Sequence, residues 1–403
     1  MENKAMDYLD WKKIDLFNPT EEHSILRKSV ASFVAKEIEP GAQFRDKEEF
    51  FNIKLFKRLG DLGLLGITAP AAFGGSEMDP MAVVIVHEEL AYSDPGFCLS
   101  YLAHSILCLN NIAVNASNEQ KKNILPKLCS GEWIGAMALT ESDCGTDVLS
   151  MKTTAKKTLD GYVINGRKMW ITNGTIDDNM TPADCVFLYA VTNKSGIRPE
   201  ISTFLIESNV NGYSVGQKIK NKTGMRASTT AELIFDNCLI PLTALVGKEG
   251  DALKHMMFNL EIERLALSAI SLGIARRALF IMKAYSNDRK AFGRKLYQFG
   301  QIQRYLGNSY AELSACRSYV YNTAKNISSS GNGNRFDSDG VKLVCSPMAK
   351  KIADRAMQVL GGNGYVAEYV VERLWRDAKL IEIGGGTIEA HQKNISVDLI
   401  RDI

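Results

Sequence analysis

One carboxylate in this sequence falls where a helix should bury only apolar side chains. In the run Met256-Met257-Phe258-Asn259-Leu260-Glu261-Ile262-Glu263-Arg264-Leu265-Ala266-Leu267, helical steps put Met256, Leu260, Glu263, Leu267, Ile270 and Ile274 on one stripe. Glu263 therefore interrupts a core-facing row. A buried, ionised carboxylate is costly unless a partner or a chemical task explains it. Arg264 next door offers the structural explanation, a salt bridge; proton transfer is the other.

Other segments have the residue types to hold a ligand. Met137-Ala138-Leu139-Thr140-Glu141-Ser142-Asp143-Cys144-Gly145-Thr146-Asp147 is a small, polar run whose N–H groups and hydroxyls suit a ring edge or a phosphate, although an ordinary polar loop has the same composition. In Trp170-Ile171-Thr172-Asn173-Gly174, a large flat ring and a hydroxyl stand two residues apart on one side of a strand, which suits an isoalloxazine; a core Trp beside a turn is the alternative. Arg289-Lys290-Ala291-Phe292-Gly293 pairs a cation for a pyrophosphate with a ring for an adenine. Gln358 to Tyr365 contains Gly361 and Gly362, which end a helix and let backbone approach a ligand. Arg376-Asp377-Ala378-Lys379 leads into Gly384-Gly385-Gly386-Thr387.

The elements that must position these groups change character twice. Residues 21–130 carry helical spacing, with Pro70 to Gly75 as a turn-rich joint. From Glu132 short β-branched runs take over: Tyr162 to Ile164, Val186 to Val191, Ser202 to Ile206 and Glu232 to Phe235. Asn165-Gly166 between Tyr162-Val163-Ile164 and Lys168 to Thr172 predicts a hairpin turn. From Gly250 long helices return, with Ser328 to Gly340 expected as a solvated loop. The expected fold is α+β: an N-terminal helical domain (1–131), a central antiparallel β domain (132–245) and a C-terminal helical bundle (246–403).

With 45% hydrophobic residues in 403, the chain has ample material for a core. Its charges nearly balance, at a formal +2 without a basic run or tail, which argues against a nucleic-acid partner. No apolar stretch reads as the roughly 20 residues of a membrane span. The eight cysteines are scattered without a CxxC pair and predict reduced thiols, with no metal site. Glu2, Asp7 and Asp10 give the first residues none of the acid-poor character of an organellar presequence.

In this order and spacing, Pro70 to Gly75, Thr140 to Asp147, Trp170 to Gly174, Gly224-Met225-Arg226 and Gly361 to Tyr365 resemble the acyl-CoA dehydrogenase family over essentially the whole chain. Within it, Tyr101 to Cys108, Ala315 to Asn322 and the base itself resemble the isovaleryl-CoA branch. Most straight-chain members place a catalytic Glu just before the Gly-Thr that corresponds to Gly386-Thr387, and here that position is Gly385. The resemblance moves the base to Glu263 on the opposite wall, and glycine at 385 is expected to open room for a branched chain. It implies α-proton abstraction by Glu263, with a pKa expected to be raised, and β-hydride transfer to N5 of FAD, converting isovaleryl-CoA to 3-methylcrotonyl-CoA. Backbone N–H groups near Gly385 and Gly386 would hold the thioester carbonyl.

Carried over residue by residue, the resemblance assigns FAD to Met137, Ala138, Leu139, Thr140, Gly145, Thr146, Trp170, Ile171, Thr172, Arg289, Phe292, Gln358, Gly361, Gly362, Thr387 and Glu389. It assigns the CoA thioester to Thr146, Lys254, Arg264, Gly385 and Gly386. It also implies a homotetramer in which Arg289 and Gln358 serve a neighbour's cofactor, an electron-transferring flavoprotein as acceptor, and the mitochondrial matrix. The sequence departs from the family at Gly300, where a glutamine is usual; at Ser142 and Thr146, which keep hydroxyl chemistry; and at Ala252 and Lys254, which bear on the acyl or pantetheine contacts. The alternatives are a dehydrogenase or oxidase of another acyl-CoA, or a silent acyl-CoA- or flavin-binding scaffold. Glu263 retained beside Trp170 and Thr172 argues against silence.

Overall fold

The computed structural model describes residues 16–194, 198–328, 330 and 335–401. The N-terminal helices are α1 (Glu21–Phe33), α2 (Ala42–Lys47), α3 (Ile53–Asp61), α4 (Pro80–Ser93), α5 (Pro95–Leu102), α6 (Asn111–Asn115) and α7 (Asn118–Ser130), with a π-helical stretch at Ala103–Asn110 joining α5 to α6. Their starts are written locally. Asp79 and Asp94 cap α4 and α5 by accepting from Ala82 N–H and Phe97 N–H, each with proline in the first turn. Ser117 and Gln120 form a capping box on α7, and Gly131 ends that helix at φ +74°.

Eight strands follow: β1 (Gly135–Ala138), β2 (Thr154–Lys157), β3 (Tyr162–Thr172), β4 (Cys185–Asn193), β5 (Glu200–Glu207), β6 (Tyr213–Lys218), β7 (Thr230–Ile240) and β8 (Leu245–Val246). They form one sheet in the order β6-β7-β3-β2-β4-β5-β8, with β1 alongside β4. The sheet is mostly antiparallel, but β1 and β2 both run parallel to β4. The predicted hairpin at Asn165-Gly166 is wrong: β3 is one strand, and the pair sits in a register shift against β7. Gly166 is needed there because a Cβ would stand 2.5 Å from Thr153 Oγ1 at φ +150°.

The C-terminal part holds α8 (Ala252–Asp288), α9 (Gly300–Asn326), α10 (Arg335–Leu360), α11 (Val371–Ile381) and α12 (Ile388–Arg401). The loop expected to run to Gly340 stops earlier, since Arg335 to Gly340 are the first turns of α10. Gly340 is a packing residue, with Tyr319 Oη 2.3 Å from where its Cβ would be. The helix α8 is the axis of the fold, packed principally against α10 and α4 and buried nearly all round from Glu261 to Ala275.

Contrary to the sequence-based expectation, Pro95–Asn115 and Ala252–Asp288 are long and apolar enough for a span, but both are packed inside the protein. Glu88 on α4 ties the helices together. It is fully buried and meets Arg276 at 3.0 Å, Arg317 at 2.8 Å and Arg27 at 3.2 Å, with Tyr321 as a further partner. Burial raises its pKa, but the three guanidiniums win and hold it down at about 2.

Candidate active site

Glu263 lies in the middle of the buried part of α8 with 6% of its surface exposed. The salt bridge with Arg264 does not form: Arg264 turns away to Asp339, 2.9 Å distant on α10. Among the described residues no hydrogen bond or ion pair holds the Glu263 carboxylate. Burial pushes its pKa up to about 7, against the opposing pull of the Arg264 and Lys342 cations. A carboxyl poised near neutrality without a partner is what a general base requires.

The turn Gly384-Gly385-Gly386 faces this carboxylate. Gly385 has φ +69°, and a Cβ there would come within 3.2 Å of Glu263 Oε1 and 2.3 Å of Leu267 Cδ1. The glycine leaves space for the acid, and Leu267 leans into the rest of the room that was expected for a branched chain. From β4, the buried Tyr189 lies close enough to feel Glu263, and burial raises its own pKa. Tyr189 also lines a small apolar pocket between the sheet and the first turns of α8, with Leu139, Met151, Ile201, Ala252 and Met256.

The Met137-to-Thr140 segment and the end of β3 are held side by side. The buried Lys168 ammonium donates to the Leu139 carbonyl at 2.9 Å and pairs with Glu141 at 3.0 Å, and Met169 N–H donates to the Thr140 carbonyl at 2.9 Å. Asn173, at φ +60°, anchors the following turn to the Ser100 and Gly135 carbonyls at 2.9 and 3.2 Å. Trp170 sits in a second register shift at φ +63° and is 59% exposed. Trp170 is exposed, Ile171 buried and Thr172 half-buried. Neither the indole nor the Thr172 hydroxyl has a protein partner among the described residues. A large uncovered ring beside a free hydroxyl fits a flat heteroaromatic group such as a flavin.

The remaining predicted residues fall into three places. Gly145, Thr146 and Lys254 are exposed. Thr387 and Glu389 start α12, where the Thr387 hydroxyl accepts from Ala390 N–H, and both line a cleft with Lys379, Glu382 and Ile383. Arg289, Phe292, Gln358, Gly361 and Gly362 are all exposed at the far end of α8, where Asn363 donates to the Tyr285 hydroxyl at 3.0 Å. At about 1.5 Å per residue, Arg289 is roughly 39 Å from Glu263 along the helix.

Asp339, Lys342, Tyr189 and His391 escaped the sequence reading. They reach the site from three elements distant in sequence, β4, α10 and α12, and Asp339 lies in a stretch that reads as loop.

Sequence models of the acyl-CoA dehydrogenase N-terminal, middle and C-terminal domains match residues 20–132, 136–238 and 251–399. The chain is 40% identical over 389 residues to an isovaleryl-CoA dehydrogenase, mitochondrial, of Oryza sativa subsp. japonica, covering 96% of this chain and 93% of that one. Butyryl-CoA dehydrogenase from Megasphaera elsdenii superposes with a TM-score of 0.90 at 32% identity, over 94% of this chain and 98% of that one. A glutaryl-CoA dehydrogenase from Mycobacterium smegmatis in complex with FADH2 superposes at 0.87 with 28% identity, over 94% and 95%. The fold is that of a flavin-dependent oxidoreductase. The chain belongs to the acyl-CoA dehydrogenase family and uses FAD.

Proposed function

We propose that the protein dehydrogenates a short branched-chain acyl-CoA, isovaleryl-CoA foremost, to the 2-enoyl thioester, here 3-methylcrotonyl-CoA. The observation that carries this is Glu263: an unpartnered, buried carboxyl raised to about 7, facing a turn whose glycine at 385 makes room for it. Glu263 takes the α-proton. FAD, when bound, supplies the hydride acceptor for the β-carbon. Backbone N–H groups of Gly385 and Gly386 hold the thioester carbonyl and stabilise enolate-like charge.

Trp170 and Thr172, with the buried Ile171 between them in sequence, and Met137 to Thr140 hold the flavin ring, helped by Gly145 and Thr146. Thr387 and Glu389 meet it from α12. The thioester passes Thr146 and Lys254, and Arg264 acts from behind by balancing charge at Asp339. The branched-chain preference is supported by the rice relative and by the base on α8. The Megasphaera and Mycobacterium enzymes, named for butyryl- and glutaryl-CoA, are the competing substrate readings.

Arg289, Phe292, Gln358, Gly361 and Gly362, grouped beyond the far end of α8 from Glu263, serve a neighbour's FAD in a homotetramer. An electron-transferring flavoprotein reoxidises the cofactor, and a mitochondrial compartment is supported by the rice relative, whose name calls it mitochondrial.

The test is an anaerobic visible spectrum titrated with isovaleryl-, butyryl- and octanoyl-CoA, for the native protein and Glu263→Gln. Preferential bleaching by isovaleryl-CoA, lost in the variant, supports base and substrate together. Better bleaching by a straight chain overturns the substrate and leaves the reaction. No bleaching by any thioester overturns the function.

A further inference from the structure

Four side chains outside the proposed chemistry converge beneath the Gly385-Gly386 turn. His391 on α12 is fully buried, with Nδ1 2.5 Å from Asp339 Oδ1 and Nε2 3.1 Å from the Gly386 carbonyl. Asp339 is held in turn by Arg264 at 2.9 Å and by the Asn394 amide at 3.2 Å. Lys342, one helical turn beyond Asp339, reaches the same Gly386 carbonyl at 3.5 Å and donates to the Ile381 carbonyl at the end of α11.

Gly386 has φ +103°, a conformation that does not hold itself, and a Cβ there would meet His391 Cε1 at 2.9 Å. Its carbonyl is thus gripped from α10 and from α12. Both atoms facing the imidazole are oxygens: a carboxylate oxygen of Asp339, which Arg264 also meets, and the Gly386 carbonyl. A neutral ring donates to one of them and a charged ring to both.

We infer that His391 is a positioning residue for the dehydrogenation: fixed by Asp339, it clamps the Gly386 carbonyl and so aims the Gly385-Gly386 backbone at the thioester opposite Glu263. This rests on the function proposed above. The groups that set its protonation are Asp339 and Lys342 on α10 and Arg264 on α8. Burial and the Arg264 and Lys342 cations outweigh Asp339 and lower the His391 pKa, so the doubly donating, charged ring gains population only as pH falls.

The experiment replaces His391 by Leu, Gln and Arg in the FAD-loaded protein. It measures the rate of flavin reduction by isovaleryl-CoA, KM, thermal midpoint, and the flavin band shift on binding a 3-oxoacyl-CoA, which has no β-hydride to give. Leu removes both ring nitrogens and is expected to slow reduction about tenfold or more, with KM changed less, because an aimed donor matters most where charge develops. Gln keeps one donor and falls between. Arg can donate to both oxygens and is expected to restore the rate to within about threefold and to recover the band shift.

A folded His391→Leu protein that reduces at the native rate overturns the clamp. So does an Arg variant as slow as Leu at an equal thermal midpoint, since packing alone then explains the ring. Should Leu not fold, native rate in the Gln variant with an unmoved band shift overturns it equally. If no thioester reduces the native protein, the proposed function itself fails, and the clamp with it.

Discussion

A side chain at Gly385 and the Glu263 carboxylate would compete for the same space: a Cβ at 385 stands 3.2 Å from Oε1. Gly385→Ala therefore tests the wall opposite the base. The new methyl must displace Leu267 Cδ1, 2.3 Å away, at a φ of +69° that alanine adopts at a cost of about 1 kcal/mol or more. We expect a lower thermal midpoint and a fall in the rate of flavin reduction of roughly tenfold, as a small misplacement of reacting groups produces. Native kinetics in this variant would separate the turn from the base.

The Glu263 carboxyl sets a pH signature. It accepts a proton only when ionised, so reduction at low substrate should rise through pH of about 7, and Glu263→Gln should abolish it. Stability has the opposite sense. A carboxyl raised in the folded state makes the fold most stable below its unfolded pKa and costs stability as pH climbs through about 7. Glu263→Gln should therefore be more stable than the native protein above pH 7, by on the order of 3 kcal/mol. That advantage should vanish below the unfolded carboxylate pKa, as read from urea midpoints at the two extremes.

Lys342 is a cation that lowers the Glu263 pKa, and burial brings its own down to about 8. Lys342→Met should shift the acidic limb of the rate profile to higher pH and cut the rate at pH 6.5 several-fold, with little change at pH 9. An unmoved limb would mean that Arg264 alone restrains the carboxyl.

The helix–sheet–helix order, the family and the acid on α8 were legible in the sequence because each is written locally. Periodicity marks α8, and Glu263 breaks an apolar stripe. What was not legible depends on contacts distant in sequence. Asn165-Gly166 reads as a turn, and only β7 alongside makes it a bulge. Asp339 reads as loop until Arg264 and His391 supply its partners, 75 and 52 positions away. Leu267 filling the space beside Gly385 is likewise a matter of side-chain packing that no spacing rule contains.

Glu88 makes the fold's acid sensitivity specific. With its pKa held at about 2 by Arg276, Arg317 and Arg27, it contributes stability that is complete above its unfolded pKa and lost as pH falls from about 4.5 to 2. Glu88→Gln should cost about 3–5 kcal/mol at pH 7, because three guanidiniums are left facing a neutral amide. The difference from the native protein should shrink towards pH 2, a convergence that urea titrations at several pH values can follow.

Arg289 tests whether one chain completes another's cofactor site. It stands at the exposed end of α8, roughly 39 Å along the helix from Glu263. Arg289→Glu should therefore lower FAD retention without altering the Glu263 limb of the pH profile in molecules that keep the flavin. Mixing Arg289→Glu chains with Trp170→Ala chains gives the decisive arrangement: if the two groups belong to different subunits of one site, hybrids contain sites with both residues intact and sites with both lost. Flavin content should then recover partly on mixing, to about a quarter of the sites at equal amounts if chains pair at random. A mixture that retains no more flavin than the average of its parents would place both residues in the same chain's site, or remove Arg289 from it.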